Sequence, residues 1–467
     1  MQPMNRRSLL KIGGSAALST LLPVHKTEAD QTMEQFSSSS PRAYTLKAQP
    51  TKIQIGPESA PPTALWAFNS QLPGPALRIK KGNALHVIFE NHLPEPSSIH
   101  WHGVRVPNAM DGVPGLTQKA VSPGEQFHYK FRCPDAGTFW YHPHYNSSEQ
   151  LGRGLIGALV VEDDQPVEVD QDLTWILSDL RINREGQITN NFGNLRDAAH
   201  AGRIGNVVLI NGSIKSEFTF PTEQRIRLRL IAASNARVFG LRFLGGKPWL
   251  IALDGHPTPV TTIQEDLVLA PGQRADLIID IPATEALRVE DHFYARSAYE
   301  LARLKAEQPV VIAREVPATL NRNPINPPVL TSSTRAVNMS IEGGAHSPVA
   351  SANAVWRLSG QSMTVHADQQ GARHQAPSFR IRPGETIRIN LHNQTSWLHP
   401  MHFHGAIFQV INSQTDSVMG ALRDTLLLGP GEKTSIALCA DELGIWMIHC
   451  HILEHQSTGL MGVFEVS

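Results

Sequence analysis

One spacing of turn, glycine and paired histidines occurs twice in this chain, and it limits the possible folds more than any other feature. In both copies a Pro-Gly-Glu turn lies fourteen residues before a glycine, and a histidine pair begins five residues after that glycine. The first copy contains Pro123-Gly124-Glu125, Gly137, His142 and His144, and the second contains Pro430-Gly431-Glu432, Gly444, His449 and His451. The recurrence predicts one structural unit that is used twice.

A third copy without histidines lies between these two. Pro271-Gly272-Gln273-Arg274 repeats the turn before an apolar segment at 275–281, and residues 220–234 alternate as a strand does. Leu241-Arg242-Phe243 stands where a histidine pair would follow. The sequence therefore predicts three related units, of which the outer two hold metal.

Each unit consists of short segments that alternate between apolar and polar residues, such as 84–89 and 386–391. Alternation with a period of two is typical of half-buried strands. The 35 glycines and 33 prolines separate these segments, and long helical periodicity is scarce. We therefore predict an all-β chain made of Greek-key β-sandwich or barrel domains.

The stretch from His449 to His455 places one thiol among three imidazoles. Alternate side chains of a strand point to opposite faces, so Cys450 faces one metal ion while His449 and His451 face others. His455 follows far enough along the chain to return to the metal of Cys450 after a turn. Imidazole suits divalent copper and thiolate suits monovalent copper, so this ligand set indicates a copper site.

Three more histidine clusters accompany this stretch: His100-Trp101-His102-Gly103, His142-Pro143-His144 and His399-Pro400-Met401-His402-Phe403-His404-Gly405. One His-x-His motif is weak evidence, but the four clusters together supply ten histidines and one cysteine. With these motifs, residues 42–467 resemble the multicopper oxidases, the family of laccases, bilirubin oxidases and bacterial copper-efflux oxidases. The resemblance implies cupredoxin-like domains and four copper ions, namely one type 1, one type 2 and two type 3.

The resemblance also implies which residues bind each copper. The type 1 copper, which accepts electrons from the substrate, takes His399, Cys450 and His455. The type 2 copper takes His100 and His402. The type 3 pair takes the remaining histidines, which are His102, His142, His144, His404, His449 and His451. Half of these trinuclear ligands belong to the first unit and half to the third, so the cluster is expected between those two domains.

Two acids resemble residues that deliver protons in that family. Asp111 matches the acid near the type 2 copper, and Glu454, between Cys450 and His455, matches the carboxylate on the type 3 side. A proton donor must lie within hydrogen-bond or one-water reach of its target. The alternative for each is an ordinary loop acid or ion-paired acid. Asp424 is interpreted as structural.

The axial position of the type 1 copper follows the cysteine by ten residues in the family, and here it is Leu460. Leucine has no donor atom, and the loss of a weak axial sulfur favours a higher reduction potential. Met461 is the next residue, but neighbours along a strand point to opposite faces. The alternative is a bulge that brings Met461 to the metal.

Residues 1–29 contain the twin arginines Arg6 and Arg7 before a short apolar run, and they predict a twin-arginine signal read by that export machinery. We therefore expect a periplasmic or extracellular protein. Residues 30–41 predict a flexible leader. Cupredoxin-like domains are predicted at 42–165, 166–316 and 336–467, and a proline-rich linker at 317–335. No later apolar run reaches eighteen residues, so stable membrane insertion is not expected.

Charge and cysteine content exclude several classes of function. The formal net charge is −1 and no basic block occurs, which argues against binding of nucleic acid or an anionic membrane. Of the three cysteines, Cys133 and Cys439 are left when Cys450 binds copper, and both are expected to be unpaired and buried. A monomer is expected.

The predicted function is the one-electron oxidation of small reducing substrates, such as phenols and aromatic amines, coupled to the four-electron reduction of dioxygen to water. A cuprous-ion oxidase is the first alternative, although the ten methionines are scattered and none clusters between Val337 and Phe379. A copper-free scaffold of the cell envelope is the second alternative, and the complete ligand set argues against it. Copper nitrite reductases share the fold but lack a full trinuclear ligand set, so the complete set in this sequence argues against that class.

Overall fold

Short strands joined by turns rich in glycine and proline make up most of the regular structure. The computed structural model describes residues 43–467, apart from 215, 309–313, 346, 349, 351–353, 364–375 and 416–417. The predicted export signal at 1–29 and the leader at 30–41 lie outside the described residues. Within the described part, strands greatly outnumber three short α-helices, so the all-β prediction is confirmed.

The first pair of sheets contains strands between Tyr44 and Glu162. They are β1 (Tyr44–Ile53), β2 (Thr63–Phe68), β3 (Leu77–Lys80), β4 (Ala84–Asn91), β5 (His100–His102), β6 (Gln126–Arg132), β7 (Gly137–His142) and β8 (Gly157–Glu162), with a 3-10 turn at Asn108–Met110 and helix α1 at Ser147–Gly152. The strand orders are β2-β1-β4-β6 and β3-β8-β7-β5. Leu85, Val87 and Phe89 alternate along β4 into the core between the sheets.

The middle pair of sheets contains strands between Gln171 and Ala306. They are β9 (Gln171–Leu180), β10 (Val207–Ile210), β11 (Glu217–Phe220), β12 (Arg225–Ala232), β13 (Phe239–Leu244), β14 (Trp249–Leu253), β15 (His256–Thr262), β16 (Leu267–Leu269), β17 (Arg274–Asp280), β18 (Leu287–Asp291) and β19 (Tyr299–Ala306), with helix α2 at Leu195–Ala199 and a 3-10 turn at Ala295–Ser297. The strand orders are β10-β9-β12-β17-β14-β15 and β11-β19-β18-β13-β16.

Strand β12 is buried on both faces although every second residue of its first half is an arginine. Its aliphatic residues enter the middle core. Its arginines meet carboxylates, as Arg227 does with Asp276, where Nη2 lies 2.6 Å from Oδ2. Thr138 of the first domain donates to Asp276 at 2.6 Å, so the first domain covers this charged face. Pairing with these carboxylates stabilises the arginines away from water.

The third pair of sheets contains strands between Ala336 and Val466. They are β20 (Ala336–Gly343), β21 (Trp356–Leu358), β22 (Arg380–Ile381), β23 (Thr386–Asn393), β24 (His399–Phe403), β25 (Ile407–Asn412), β26 (Leu422–Arg423), β27 (Thr425–Leu428), β28 (Lys433–Cys439), β29 (Gly444–Cys450) and β30 (Met461–Val466), with helix α3 at Leu453–Ser457. The strand orders are β21-β20-β23-β28-β25-β26 and β22-β30-β29-β24-β27.

The segment predicted as a linker crosses between the sheet pairs without regular structure, and Asn323 fixes its path. The Asn323 side chain is 8 % exposed. Its Oδ1 accepts from the amide of Ala136 at 2.9 Å, and its Nδ2 donates to the carbonyls of Ala136 at 2.9 Å and Gly255 at 3.3 Å. One side chain of this segment therefore joins the first and middle domains.

Cys133 and Cys439 are both free thiols, the first buried and the second partly buried. None of the helices in the described part of the chain is long and apolar enough to cross a bilayer.

Candidate metal centre

The four histidine clusters lie on two sheets, one in the first pair and one in the third. Strand β5 pairs with β7 so that His100 lies opposite His142. Strand β24 pairs with β29 so that His402 lies opposite His449. Because side chains at paired positions share a face, each sheet presents its histidines together. The eight histidines predicted for the trinuclear cluster are all buried.

The residues predicted to hold the type 1 copper meet inside the third domain. Sγ of Cys450 lies 3.6 Å from Nδ1 of His399 and 3.7 Å from Nδ1 of His455, and the two ring nitrogens are 3.2 Å apart. All three side chains are fully buried. Helix α3 supplies the turn that brings His455 back to Cys450.

Hydrogen bonds on the far side of each type 1 imidazole leave its Nδ1 directed inward. The His455 Nε2–H donates to the carbonyl of His200 at 2.7 Å. Nε2 of His399 lies 2.9 Å from Oγ1 of Thr395, whose hydroxyl in turn donates to Asn393 at 2.8 Å. Such contacts fix the tautomer of an imidazole and keep its other nitrogen for a metal.

Five of the trinuclear histidines converge through their Nε2 atoms. Nε2 of His449 lies 3.0 Å from that of His404 and 3.4 Å from that of His144. Nε2 of His100 lies 3.4 Å from that of His402. The set of His144, His404 and His449 combines residues of the first and third domains, and so does the pair of His100 and His402. These groupings agree with one type 3 set and with the type 2 pair.

His102, His142 and His451 are the remaining predicted type 3 ligands, and several of their ring nitrogens lack a hydrogen-bond partner among the described residues. The ring centroids lie 4.9 to 5.8 Å apart. Nε2 of His102 contacts Asp424, and Nδ1 of His142 contacts the carbonyl of Pro143. The other nitrogen of each ring, and both nitrogens of His451, have no hydrogen-bond partner among the described residues. Buried polar atoms rarely lack partners, so this set fits a metal ion.

The electrostatic environment favours neutral imidazoles, as metal binding requires. Burial, reinforced by neighbouring imidazoles, holds the pKa of six trinuclear histidines well below the ordinary value: His102, His142, His144, His404, His449 and His451. Burial lowers the pKa of His455 to about 3. Burial raises the pKa of the Cys450 thiol, so a bound cation must displace its proton.

Asp111 directly contacts two of the predicted ligand histidines. Its Oδ2 accepts from the Nδ1–H of His404 at 2.9 Å, and its backbone carbonyl accepts from the Nδ1–H of His100 at 2.8 Å. The carboxylate is buried. Asp111 therefore links a predicted type 2 ligand to a predicted type 3 ligand.

Glu454 faces the middle domain instead. Its carboxylate accepts from the amide of Arg203 at 3.0 Å and from Nδ2 of Asn235 at 3.1 Å, and burial raises its pKa. Gln456, also in α3, contacts a predicted trinuclear ligand: its Nε2 lies 3.4 Å from Nε2 of His144. Gln456 has no ionisable group, so it was not among the acids predicted from the sequence.

Asp424, interpreted as structural from the sequence, contacts two of the predicted ligand histidines, and Arg274, which the sequence did not single out as a site residue, holds it. Oδ1 of Asp424 accepts from the Nε2–H of His102 at 3.1 Å, and the backbone carbonyl of Asp424 accepts from His402 at 3.0 Å. Burial would raise the pKa of Asp424, but Arg274 and the hydrogen bonds hold it well below the usual range. The local sequence offered one signal, the Pro-Gly turn that ends at Arg274.

Leu460 and Met461 lie in different clusters of the third domain. Leu460 is fully buried in the same apolar cluster as Cys450, and its carbonyl accepts from the Cys450 amide at 3.0 Å. Met461 packs with Met363 and Met447 in a separate cluster. The expected alternation of side chains between Leu460 and Met461 is thus present.

The chain is similar to known proteins over nearly its whole described length, and these proteins identify its family. Models of multicopper oxidase domains match residues 49–166, 171–311 and 348–467. The crystal structure of a multi-copper oxidase from Pseudomonas thermotolerans is 34% identical, with a TM-score of 0.81, and the match covers 92% of this chain and all of that one. The chain belongs to the multicopper oxidase family. Copper is the cofactor that this membership implies, and cupredoxin-like domains are its fold.

Two further members are similar over nearly their whole length. "Multicopper oxidase mco" of Staphylococcus haemolyticus is 28% identical, covering 91% of this chain and 88% of that protein. The structure described as a multicopper oxidase from Campylobacter jejuni, a metallo-oxidase, is 28% identical with a TM-score of 0.76, covering 91% of each chain. Multicopper oxidases are oxidoreductases that use dioxygen and reducing substrates, so this chain has that general activity.

Proposed function

We propose that this multicopper oxidase is laccase-like: it oxidises phenols or aromatic amines one electron at a time at a type 1 copper and reduces dioxygen to water at a trinuclear cluster. One observation carries the proposal. Cys450 lies with His399 and His455, its neighbour His449 lies with His144 and His404, and its other neighbour His451 lies 4.9 and 5.3 Å, between ring centroids, from His102 and His142. A thiolate bonded through the backbone to both sets provides a short path for electrons.

Eleven residues would hold the four proposed coppers, which supply electron acceptance at the type 1 site and dioxygen reduction at the cluster. Asp111 keeps the Nδ1 protons of His100 and His404 directed away from the metal side. Asp424 holds the Nε2 proton of His102 with its carboxylate and the Nδ1 proton of His402 with its backbone carbonyl. The apolar cluster around Leu460 excludes water from the type 1 ligands. These contacts fix the ligands before any substrate arrives.

Residues 198–200 of the middle domain form a cover over the His455 imidazole of the proposed type 1 site. Three consecutive carbonyls, those of Ala198, Ala199 and His200, accept from Trp356 Nε1, the Ala345 amide and His455 Nε2, each at 2.7 Å. The Trp356 ring packs 4.3 Å from the His455 ring. A substrate therefore donates electrons across this cover without binding the imidazole. Small aromatic reductants can react in this way, because electron transfer does not require a bond to the metal.

Anaerobic reduction of the copper-loaded protein tests the proposal. A phenol added stepwise should bleach the blue type 1 band, and readmitted oxygen should restore it without release of peroxide. The same titration with cuprous ion gives the comparison of rates. Elemental analysis should give four coppers per chain. A single copper together with no type 3 absorption would contradict the proposal.

A cuprous-ion oxidase is the second candidate, and one observation favours it. Met363, Met447 and Met461 are each nearly inaccessible and share one buried cluster that also contains Val113 of the first domain. Thioethers bind monovalent copper. The similar Campylobacter jejuni protein is described as a metallo-oxidase. If cuprous ion is the substrate, Met447→Leu should slow its oxidation and leave phenol oxidation unchanged.

Export through the twin-arginine machinery is part of the proposal and is supported by Arg6 and Arg7. The expected location is the periplasm. Cell fractionation of the native chain and of an Arg6→Lys, Arg7→Lys variant tests it, because the variant should accumulate unexported. Equal periplasmic amounts of the two proteins would contradict this part of the proposal.

A further inference from the structure

Three Pro-Gly turns share one local conformation but differ in what they face. Gly124, Gly272 and Gly431 have φ values of 82°, 90° and 69°. A Cβ added at Gly124 or Gly431 would meet no atom of the described residues within 4 Å. A Cβ at Gly272 would lie 3.0 Å from Cε1 of His102 and 3.0 Å from Cδ2 of His451. The turn of the middle domain therefore packs its backbone against two proposed copper ligands.

Arg274, at the end of the same turn, reaches the cluster through Asp424. The guanidinium is fully buried, and its Nη1 and Nη2 donate to Oδ1 and Oδ2 of Asp424 at 2.8 and 2.6 Å. Asp424 accepts from the Nε2–H of His102 at 3.1 Å. A two-pronged pair of this kind fixes the plane of the carboxylate as well as its position. Arg274 thereby sets the orientation from which Asp424 holds His102.

Asp254, also in the middle domain, completes this arrangement. Its Oδ1 accepts from the Arg274 amide at 2.9 Å, and its backbone carbonyl accepts from Arg274 Nη2 at 2.9 Å. Its Oδ2 accepts from the Thr425 amide at 3.3 Å. One buried guanidinium thus lies between the two carboxylates of Asp254 and Asp424, and its position is defined from both sides.

The backbone that holds His402 is attached to the same turn. The carbonyl of Asp424 accepts from the Nδ1–H of His402 at 3.0 Å. Gln273 donates from Nε2 to the carbonyl of Thr425 at 3.1 Å. The turn therefore contacts one predicted type 2 ligand through the segment at Asp424 and Thr425, in addition to two predicted type 3 ligands.

We propose that the turn Pro271-Gly272-Gln273-Arg274 of the middle domain is a positioning element of the trinuclear site. Gly272 allows close packing against His102 and His451, and Arg274 holds Asp424 in the orientation that directs His102 and His402 to copper. Neither is a catalytic residue, since both act through other side chains. The inference rests on the proposed assignment of the copper ligands.

Glycine-to-alanine variants of the full-length, copper-loaded protein test the proposed role of Gly272. The variants at Gly124 and Gly431 are the controls. Gly272→Ala, Gly124→Ala and Gly431→Ala all place a Cβ at positive φ, so all three should lose some thermal stability. Only Gly272→Ala should change the electron paramagnetic resonance signal of the type 2 copper and weaken trinuclear copper binding by about 10- to 100-fold. The blue type 1 band should persist in all three variants.

The arginine variants provide an independent comparison. Arg274→Met should change the type 2 signal and the copper content, and Arg274→Lys should restore part of both, because it keeps the charge without the two-pronged contact. Arg227→Met is the matched control, since Arg227 is a buried arginine of the same domain paired with Asp276. That variant should lose stability and keep a native type 2 signal. If Arg274→Met does not fold, the comparison of Gly272→Ala with Gly124→Ala and Gly431→Ala still tests the proposal.

Two results separate failure of this inference from failure of the proposed function. If the native chain binds four coppers while Gly272→Ala and Arg274→Met match their controls in copper content and type 2 signal, the turn is not a positioning element. If the native chain binds no copper at the trinuclear histidines, the ligand assignment itself is wrong and the inference is overturned with it.

Discussion

Side-chain atoms next to the predicted type 1 ligands should set the reduction potential of the type 1 copper. Leu460 lies in the apolar cluster with Cys450 and offers no donor atom. Leu460→Met adds a thioether at similar volume, so packing should change little. The weak new ligand should stabilise the oxidised copper and lower the potential by on the order of 60 mV, or about tenfold in a one-electron equilibrium. Redox titration of the blue band measures this change.

The same variant should discriminate among substrates. Electron-poor phenols should be oxidised more slowly, whereas easily oxidised phenols retain sufficient driving force. Rates for a graded series of phenols provide the check. An unchanged or higher potential would show that residue 460 does not face the copper and would make Met461 the candidate ligand.

Cys450 is the residue on which both the blue colour and the electron path depend. Cys450→Ser should abolish the blue band and lower turnover of a phenol by about a thousandfold, or about 4 kcal/mol in the barrier. The predicted trinuclear histidines should still bind copper, because the contacts of the thiol among the described residues are with His399, His455 and the Ile452 amide. Copper analysis and oxygen consumption measure the two effects. Substantial turnover by the variant would mean that electrons enter elsewhere.

Residues with a local signature could be predicted, and residues that act through distant partners could not. The histidines occur in pairs whose two-residue spacing follows from strand geometry, so each cluster is readable by itself. Arg274 and Asp424 lie 150 positions apart and are joined only in the fold. In the sequence each looks like any other charged residue beside a turn or strand.

At the scale of elements, the alternation of apolar and polar residues predicted the strands well. The short helix α3, which contains Glu454, left no such signal. Successive residues of an α-helix are rotated by about 100°, so Glu454 and Gln456 of α3 point to nearly opposite sides. Glu454 consequently meets Arg203, and Gln456 lies beside His144. Five residues of helix leave no periodicity to detect in an all-β sequence.

The segment at 317–335 is held more firmly than its proline content suggests. Asn323→Ala removes three hydrogen bonds to backbone groups of Ala136 and Gly255 and leaves the amide and carbonyl of Ala136 without this partner. At about 1 kcal/mol for each bond, the free energy of unfolding should fall by about 2 to 3 kcal/mol. Denaturant unfolding measures the loss. Asn321→Ala is the control, because Asn321 makes an exposed contact with Gln165, and its effect should stay within about 0.5 kcal/mol.

At the scale of the whole molecule, bound copper should connect the outer domains. The trinuclear ligands come in equal numbers from the first and third domains, so metal binds the assembled form and stabilises it. At a free copper concentration of 100 times the dissociation constant, each site should contribute about 2.7 kcal/mol. Removal of copper with a chelator should therefore lower the melting temperature, and copper should restore it. Equal melting temperatures would show that the histidines do not bind metal across the interface.

The segment 198–200, whose His200 carbonyl accepts from the Nε2–H of His455, has a consequence for the rate of metal uptake. A copper ion that approaches the folded, metal-free chain finds His399, Cys450 and His455 already enclosed. The segment must lift before the ion can enter, so opening and not collision should limit uptake. The blue colour should then develop at a rate that rises with copper concentration and reaches a plateau. The plateau value would equal the opening rate of the cover, and rapid mixing would measure it.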